Sequence, residues 1–476
     1  MVFEKLTSVD YLVVGAGARG LAFIETLIQD RTLKVALIDR NKRAGGVWNQ
    51  TYDFASVQTR TDVFGINAFT LSDLFSAEMA TSSPLPHDAN REKVLGHFEA
   101  ILNQRLLPSG QVLFFPEHVS TGGGRIYCSK TSELKQLRVR RKIVDATNPK
   151  KPPQRQDFRC FSSEPGVDVI TPHDLSARCA NGNRPALQYC IIGGGRTAMD
   201  VALQLIRYGV EPKRLSWVKP RDAWLMNGKT QELNPTSTHQ ILQLQLKAFA
   251  ALEHALTAED VCETLEANGF ITRVSETHAP SMFHESIASQ DEIKRLGKIH
   301  HVIRKGHVHG ISALGMILDG GAEPMPAETL YVDCSSGSAR RRAGVPVFSG
   351  NHIRLQNIRM CQPCLSAAMI ASIERLNLSE QTKNAICPPL LTPDSTADLL
   401  AQLHGTVKNC HAWITNKHLR SKLQARRIDS LGGFATKIID IQSLPTAQVR
   451  TLHKITPRIL ANLQMLLEQI ALESRQ

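Results

Sequence analysis

No run of about 18 consecutive apolar residues occurs in this sequence, so a membrane-spanning helix is not expected. The opening, Met1 to Lys5, lacks the basic, apolar and small-residue zones of an export signal. The 10 cysteines follow no regular spacing. Without an export signal they read as mostly reduced thiols of a cytoplasmic protein, not as a disulfide framework. Aromatic residues make up only 5% of the chain, and none cluster among the lysines and arginines. The net charge of +12 is spread along the chain. That spread weighs against nucleic-acid binding and fits an anionic substrate or two polyphosphate cofactors. His300-His301 and His307-Val308-His309 lack a cysteine or carboxylate that would complete a metal-ligand set. Adjacent histidines also point different ways on a strand, so no metal is expected.

What remains is an ordinary globular composition, 42% hydrophobic and 21% charged, over 476 residues. That length suits two or three domains with real cores. Asp10 to Val14 is an apolar run of the kind that forms a buried parallel strand. It leads directly into Gly15-Ala16-Gly17-Ala18-Arg19-Gly20, a G-x-G-x-x-G pattern, and then into helix-like spacing from Leu21 to Gln29. Lys34 to Ile38 is a second strand, closed by Asp39. Each piece has a task at a dinucleotide. Gly15 permits the tight turn, Gly17 and Ala18 bring backbone close to a pyrophosphate, and Gly20 lets the helix pack on the strand. The helix N-terminus offers unpaired N–H groups to the anion. Asp39 can accept hydrogen bonds from ribose hydroxyls, with Arg40 beside it.

The pattern recurs. Pro185 to Ile192 is a strand, Gly193-Gly194-Gly195-Arg196-Thr197-Ala198 fits G-x-G-x-x-A, and Met199 to Tyr208 has helical periodicity. Arg196 and Thr197 stand at the mouth of this turn. Arg214 to Val218 is the next strand, and it ends at Lys219 instead of an acid. A base at this place accommodates a 2′-phosphate, so Lys219 and Arg221 argue for NADPH over NADH. Asp200 reads either as compensation of the helix dipole or as a functional acid.

Gly45-Gly46-Val47-Trp48 follows the first acid, and here the sequence resembles the two-dinucleotide-binding flavoproteins. The likeness is greatest to flavin-containing monooxygenases and their Baeyer–Villiger relatives, the class B flavoprotein monooxygenases. The resemblance implies an α/β fold of two Rossmann-like dinucleotide-binding domains, for FAD and NADPH, with a helical C-terminal extension. It implies FAD at the first turn, with Gly46, Val47 and Trp48 in its site. The expected division is residues 1–180 for the first part of the FAD domain and 181–320 for the NADP domain. Residues 321–385 would return to the FAD domain, and 386–476 would form the extension. Leu137 to Asn148 resembles the strand returning toward FAD, with Asn148 in place of a glycine, and Glu328 to Gly337 resembles its counterpart in the second domain. Gln240 to Asn268 reads as a long helical insert. Ile459, Leu460, Leu463, Leu466, Leu467 and Ile470 form an apolar helical stripe that suits either a core or a homodimer face.

The function implied is a single-component monooxygenase. NADPH would reduce FAD, and dioxygen would form a flavin peroxide that oxygenates a small organic substrate. The family's F-x-G-x-x-x-H pattern is not matched; Gly166 and His173 stand at the wrong spacing, and Asn67 lies too late for the asparagine that follows G-G-x-W. No catalytic residue is therefore assigned. Cys361-Gln362-Pro363-Cys364 opens a predicted helix and offers a competing chemistry, an NADPH-linked disulfide reductase, because a helix N-terminus lowers a thiol pKa. A third reading is a nucleotide-binding scaffold without turnover.

Overall fold

A computed structural model describes residues 7–58, 64–66, 69–71, 73, 89–147, 160–179, 186–228, 247–335, 344–424 and 446–473. Asn67 and Asn148 lie outside the described residues.

The chain begins with strand β1 (Ser8–Val14), helix α1 (Ala18–Leu27) and strand β2 (Val35–Asp39). Helix α2 (Arg91–Ile101) and strands β3 (Val112–Pro116) and β4 (Arg138–Asp145) follow. β1 and β2 are buried along almost their whole length, the signature of central strands covered on both faces. A second set then starts: β5 (Val169–Ile170), β6 (Gln188–Ile192), α3 (Arg196–Arg207) and β7 (Leu215–Val218). Between β7 and its next parallel partner the chain inserts β8 (Ala223–Asn227), α4 (Ala258–Ala267), β9 (Ile271–Thr272) and β10 (Met282–Ala288). Helix α5 (Gln290–Leu296), β11 (His301–Ile303) and β12 (Thr329–Asp333) complete the second set. The last part holds β13 (Phe348–Ser349), β14 (His352–Arg354), α6 (Pro363–Glu374), α7 (Thr396–Thr415) and α8 (Thr446–Glu473).

Two Rossmann-like sheets result. The first is six-stranded, in the order β13-β14-β4-β1-β2-β3, and parallel except for β13. The second is five-stranded and parallel throughout, in the order β5-β12-β6-β7-β11. Both returning strands sit where the sequence places them: β4 beside β1, and β12 beside β6. β5 pairs with β12 in the second sheet, and β13 and β14 follow in the first.

A third lobe caps these sheets. Its small sheet runs β9-β8-β10, and its core joins Trp224, Phe283 and Leu265 to Leu403 and the C-terminal helix. The insert is not one long helix in its described part. A first helical segment stops at Ala251, and Thr257 starts α4 with a capping box: its side chain accepts from Asp260 N–H, while the Asp260 carboxylate reaches back to the Thr257 N–H.

The apolar stripe of α8 is core. Ile459, Leu463 and Leu466 are buried in the third lobe, and Leu460, Leu467 and Ile470 pack against it. Asn462 fixes the register by donating to the carbonyls of Leu252 and Ala255. Leu463→Ala is expected to lower stability by about 2–5 kcal/mol through lost burial and a cavity. Denaturant unfolding measures this; an unchanged midpoint with an altered oligomeric state would show that the stripe serves a dimer instead.

Candidate functional site

The first turn is built by exclusion of side chains. Gly15 has φ +110 and lies against the Ala146 backbone, so a Cβ there would be strained and crowded. A Cβ on Gly20 would stand 2.0 Å from the Gly15 carbonyl oxygen. α1 can therefore pack this close only through glycine. Gly17 caps α1 without a side-chain hydrogen bond, which leaves the N–H groups of Ala18 and Arg19 directed at the mouth of the turn. Gly45 donates its N–H to the Ala16 carbonyl at 2.9 Å, and this brings the Gly46-Val47-Trp48 turn over Gly17. Val47 is exposed, while Trp48 packs edge-on to Phe64. The buried Asp39 accepts from Ala16 N–H at 2.7 Å and from Asn41 at 2.8 Å. A carboxylate has about four acceptor positions, so capacity remains for a ribose hydroxyl. Arg40 donates to Gln50.

The second turn repeats the design. Gly193, at φ +127, lies against the Cys334 backbone just after the returning strand, and Gly195 caps α3 without a side-chain bond. Nothing comes within 3.9 Å of the position a Gly195 Cβ would take, so the turn is open to a ligand there. Both turns thus fit a dinucleotide pyrophosphate.

The charged residues of the second turn are more constrained than the sequence suggests. The Arg196 guanidinium points away from the turn, into the protein. It donates to Glu292 at 2.5 Å and to the Ile287 carbonyl at 3.0 Å, and pairs with Asp200 at 2.7 Å. Burial opposes its charge, but the two carboxylates prevail and raise its pKa. What Arg196 and Thr197 have to offer a phosphate is backbone N–H. Asp200 is neither a simple dipole compensator nor a solvent-facing acid: Tyr52, from the first domain, donates to it at 2.5 Å. Lys219 is buried, donates to Asp222 at 2.5 Å and lies 4.7 Å from the Trp217 ring centroid. Burial lowers its pKa, against the pull of Asp222. Arg304 shares Asp222 at 2.6 Å. Arg221 pairs with Asp394 at 2.6 Å, exposed to solvent, and its carbonyl oxygen stands over Gly194.

β10 places His284 against Gly195. Its neighbour Glu285 accepts from Gln402 at 3.0 Å. Neither residue belongs to a recognisable motif, and the sequence reading missed both.

The thiol pair does not have the electrostatics of a redox nucleophile. Burial pushes Cys364 up to about 12 and Cys361 well above the ordinary thiol value. The expected depression at the helix N-terminus is overridden by desolvation. His307 and His309 do find a carboxylate, Asp319, which holds both rings from one side at the surface. Among the described residues no group of three or more ligating side chains is arranged to hold a metal ion.

Residues 12–75 match a family model described as FAD-NAD(P)-binding. Uncharacterized proteins of Mycobacterium bovis and Mycobacterium tuberculosis are 33% identical over 427 residues, which cover 90% of this chain and 78% of theirs. The chain belongs to the same family as these proteins. Among solved structures it is similar to a polycyclic ketone monooxygenase from the thermophilic fungus Thermothelomyces thermophila, with 11% identity, a TM-score of 0.48, and coverage of 93% of this chain and 90% of that one. It is also similar to an oxidized steroid monooxygenase bound to NADP, with 13% identity, a TM-score of 0.46, and coverage of 77% and 85%.

Removal of the Arg196 side chain leaves Asp200 and Glu292 buried without their cation. Arg196→Met is expected to destabilise the protein by about 3–5 kcal/mol, the usual cost of breaking a buried pair from one side. Thermal or denaturant unfolding reads this directly. A stable variant with only weakened nucleotide binding would show that Arg196 serves the ligand and not the fold.

Proposed function

We propose that this protein is an FAD-dependent, NADPH-using monooxygenase of the single-component kind, acting on a small organic molecule. The observation that carries the proposal is the presence of two open glycine turns, each between a buried parallel strand and a helix, with the G-G-V-W turn over the first and His284 beside the second. A chain that holds two dinucleotides in this way can pass hydride between them without releasing either. The G-G-V-W turn over Gly17 supports FAD at the first turn, and the FAD-NAD(P)-binding family model covers that segment. Bound flavin would supply the redox chemistry and the reaction with dioxygen. The chain's own part is to bind, to orient and to exclude water. Gly15, Gly17 and Gly20 set the approach of one pyrophosphate, and Gly193 and Gly195 that of the other. The raised thiol pKa values at Cys361 and Cys364 count against the reductase alternative, which needs a thiolate.

Cofactor choice follows from the competition for Arg221. Its pair with Asp394 is exposed on both sides, and such pairs contribute only about 0–1 kcal/mol. A charge-assisted bond to phosphate contributes about 1.5–3 kcal/mol, so a 2′-phosphate wins the guanidinium. Lys219 and Arg304 line the adjacent groove of about 830 Å³, with Trp217 and Lys294. Lys219 is tied more tightly, in a buried pair with Asp222. Its part is to keep that wall of the groove positive and in place.

Arg221→Ala is therefore expected to weaken NADPH binding about ten- to a hundredfold and to leave NADH binding almost unchanged. Lys219→Ala is expected to cost stability as well, and so to weaken both nucleotides. Nucleotide titration of each variant separates these outcomes, and equal losses of both nucleotides in Arg221→Ala would remove that residue from phosphate recognition. The oxygenase assignment itself is tested by following electrons. With a substrate present, NADPH oxidation should yield oxygenated product and suppressed hydrogen peroxide. If every candidate ketone, amine and thioether leaves all electrons in free peroxide, monooxygenation is wrong.

A further inference from the structure

His284 is carried to the second turn by the third lobe and not by the Rossmann unit itself. Its Cε1 lies 3.9 Å from where a Cβ on Gly195 would stand, so the imidazole sits beside the uncapped N-terminus of α3. It is partly buried, and among the described residues its ring nitrogens make no hydrogen bond. The pyrophosphate of a nucleotide in this turn would lie against Gly195, within reach of that ring. We propose that His284 is a pyrophosphate-binding residue that takes up a proton as the nucleotide binds. The proposal rests on reading the second glycine turn as a nucleotide site.

The charges around the ring give the direction. Burial favours the neutral imidazole, Arg221 on the β7–β8 connection does so too, and Asp394, before α7, opposes them. Arg196 on α3 is turned away toward Asp200 and Glu292. Glu285, the adjacent residue on β10, is bonded to Gln402 on α7. In the free protein His284 is thus held neutral near physiological pH. A pyrophosphate brings negative charge to the ring and offsets its desolvation, so the bound state favours the imidazolium. The free-state pKa is lowered and the bound-state pKa is higher. The gain in affinity is therefore complete below the free-state value and is lost as pH rises through the bound-state value.

The test is the pH dependence of NADPH binding to the full chain, measured between about pH 6 and 8. His284→Gln keeps a hydrogen-bonding amide but cannot titrate in this range. His284→Asn provides a second variant should the first fold poorly. The 2′-phosphate of NADPH titrates near pH 6, but it does so in every variant and cancels in the comparison. The wild-type dissociation constant is expected to rise with pH more steeply than the variant's, by up to about tenfold per pH unit for one linked proton. Calorimetry in two buffers of different ionisation enthalpy should show proton uptake in the wild type that the variant lacks. Identical pH slopes and identical proton uptake would overturn the role of His284 and leave the nucleotide site standing. A wild-type protein that binds neither NADPH nor NADH at any pH would overturn the nucleotide site, and this proposal with it.

Discussion

The buried guanidinium of Arg196 is the constraint on which the arrangement of this protein depends. It lies at the start of the second dinucleotide-binding helix, yet its partners come from three places: Asp200 on its own helix, Glu292 on α5, and the Ile287 carbonyl on β10 of the third lobe. Asp200 in turn accepts from Tyr52, which follows the G-G-V-W turn of the first domain. One ion cluster therefore fixes both Rossmann units and the capping lobe to each other. A buried charge is tolerated only when paired and hydrogen-bonded, so the position of each lobe is set by the need to keep this cluster complete.

The placement of His284 follows from that constraint. β10 is tethered at Ile287, and three residues earlier the same strand presents His284 to the second turn. The third lobe thus contributes a side chain to that turn. Its stability depends on the C-terminal helix, whose Leu463 and Leu466 complete its core.

Much of this was legible in the sequence. The two strand–glycine–helix–strand series announce themselves because backbone geometry demands particular residues: a Cβ at Gly20 would collide with the Gly15 carbonyl, and one at Gly193 with Cys334. Such demands are local, and local spacing records them. The returning strands were legible through the resemblance of Leu137 to Asn148 and of Glu328 to Gly337 to the family's return segments. The partners of the charged residues were not. Nothing in the spacing shows that Arg196 turns inward to Glu292, or that Lys219 is held by Asp222 while Arg221 is held by Asp394. Those choices depend on which segments meet in space. The thiol pair shows the same gap: a helix N-terminus lowers a thiol pKa, whereas burial, invisible to a motif, raises it. His284 and Glu285 carried no signal, because a strand reading Met-Phe-His-Glu-Ser-Ile-Ala has no spacing that marks it as a site.

The claim on which the rest stands is that one chain holds a flavin and a reduced nicotinamide nucleotide together, so that one reduces the other. Anaerobic mixing of the FAD-loaded protein with NADPH in a stopped-flow spectrophotometer tests this directly. The account predicts that the flavin absorbance bleaches fully with one equivalent of NADPH, and far more slowly with NADH at the same concentration. A protein that neither retains nor rebinds FAD, or whose bound flavin stays oxidised in excess NADPH, would contradict it.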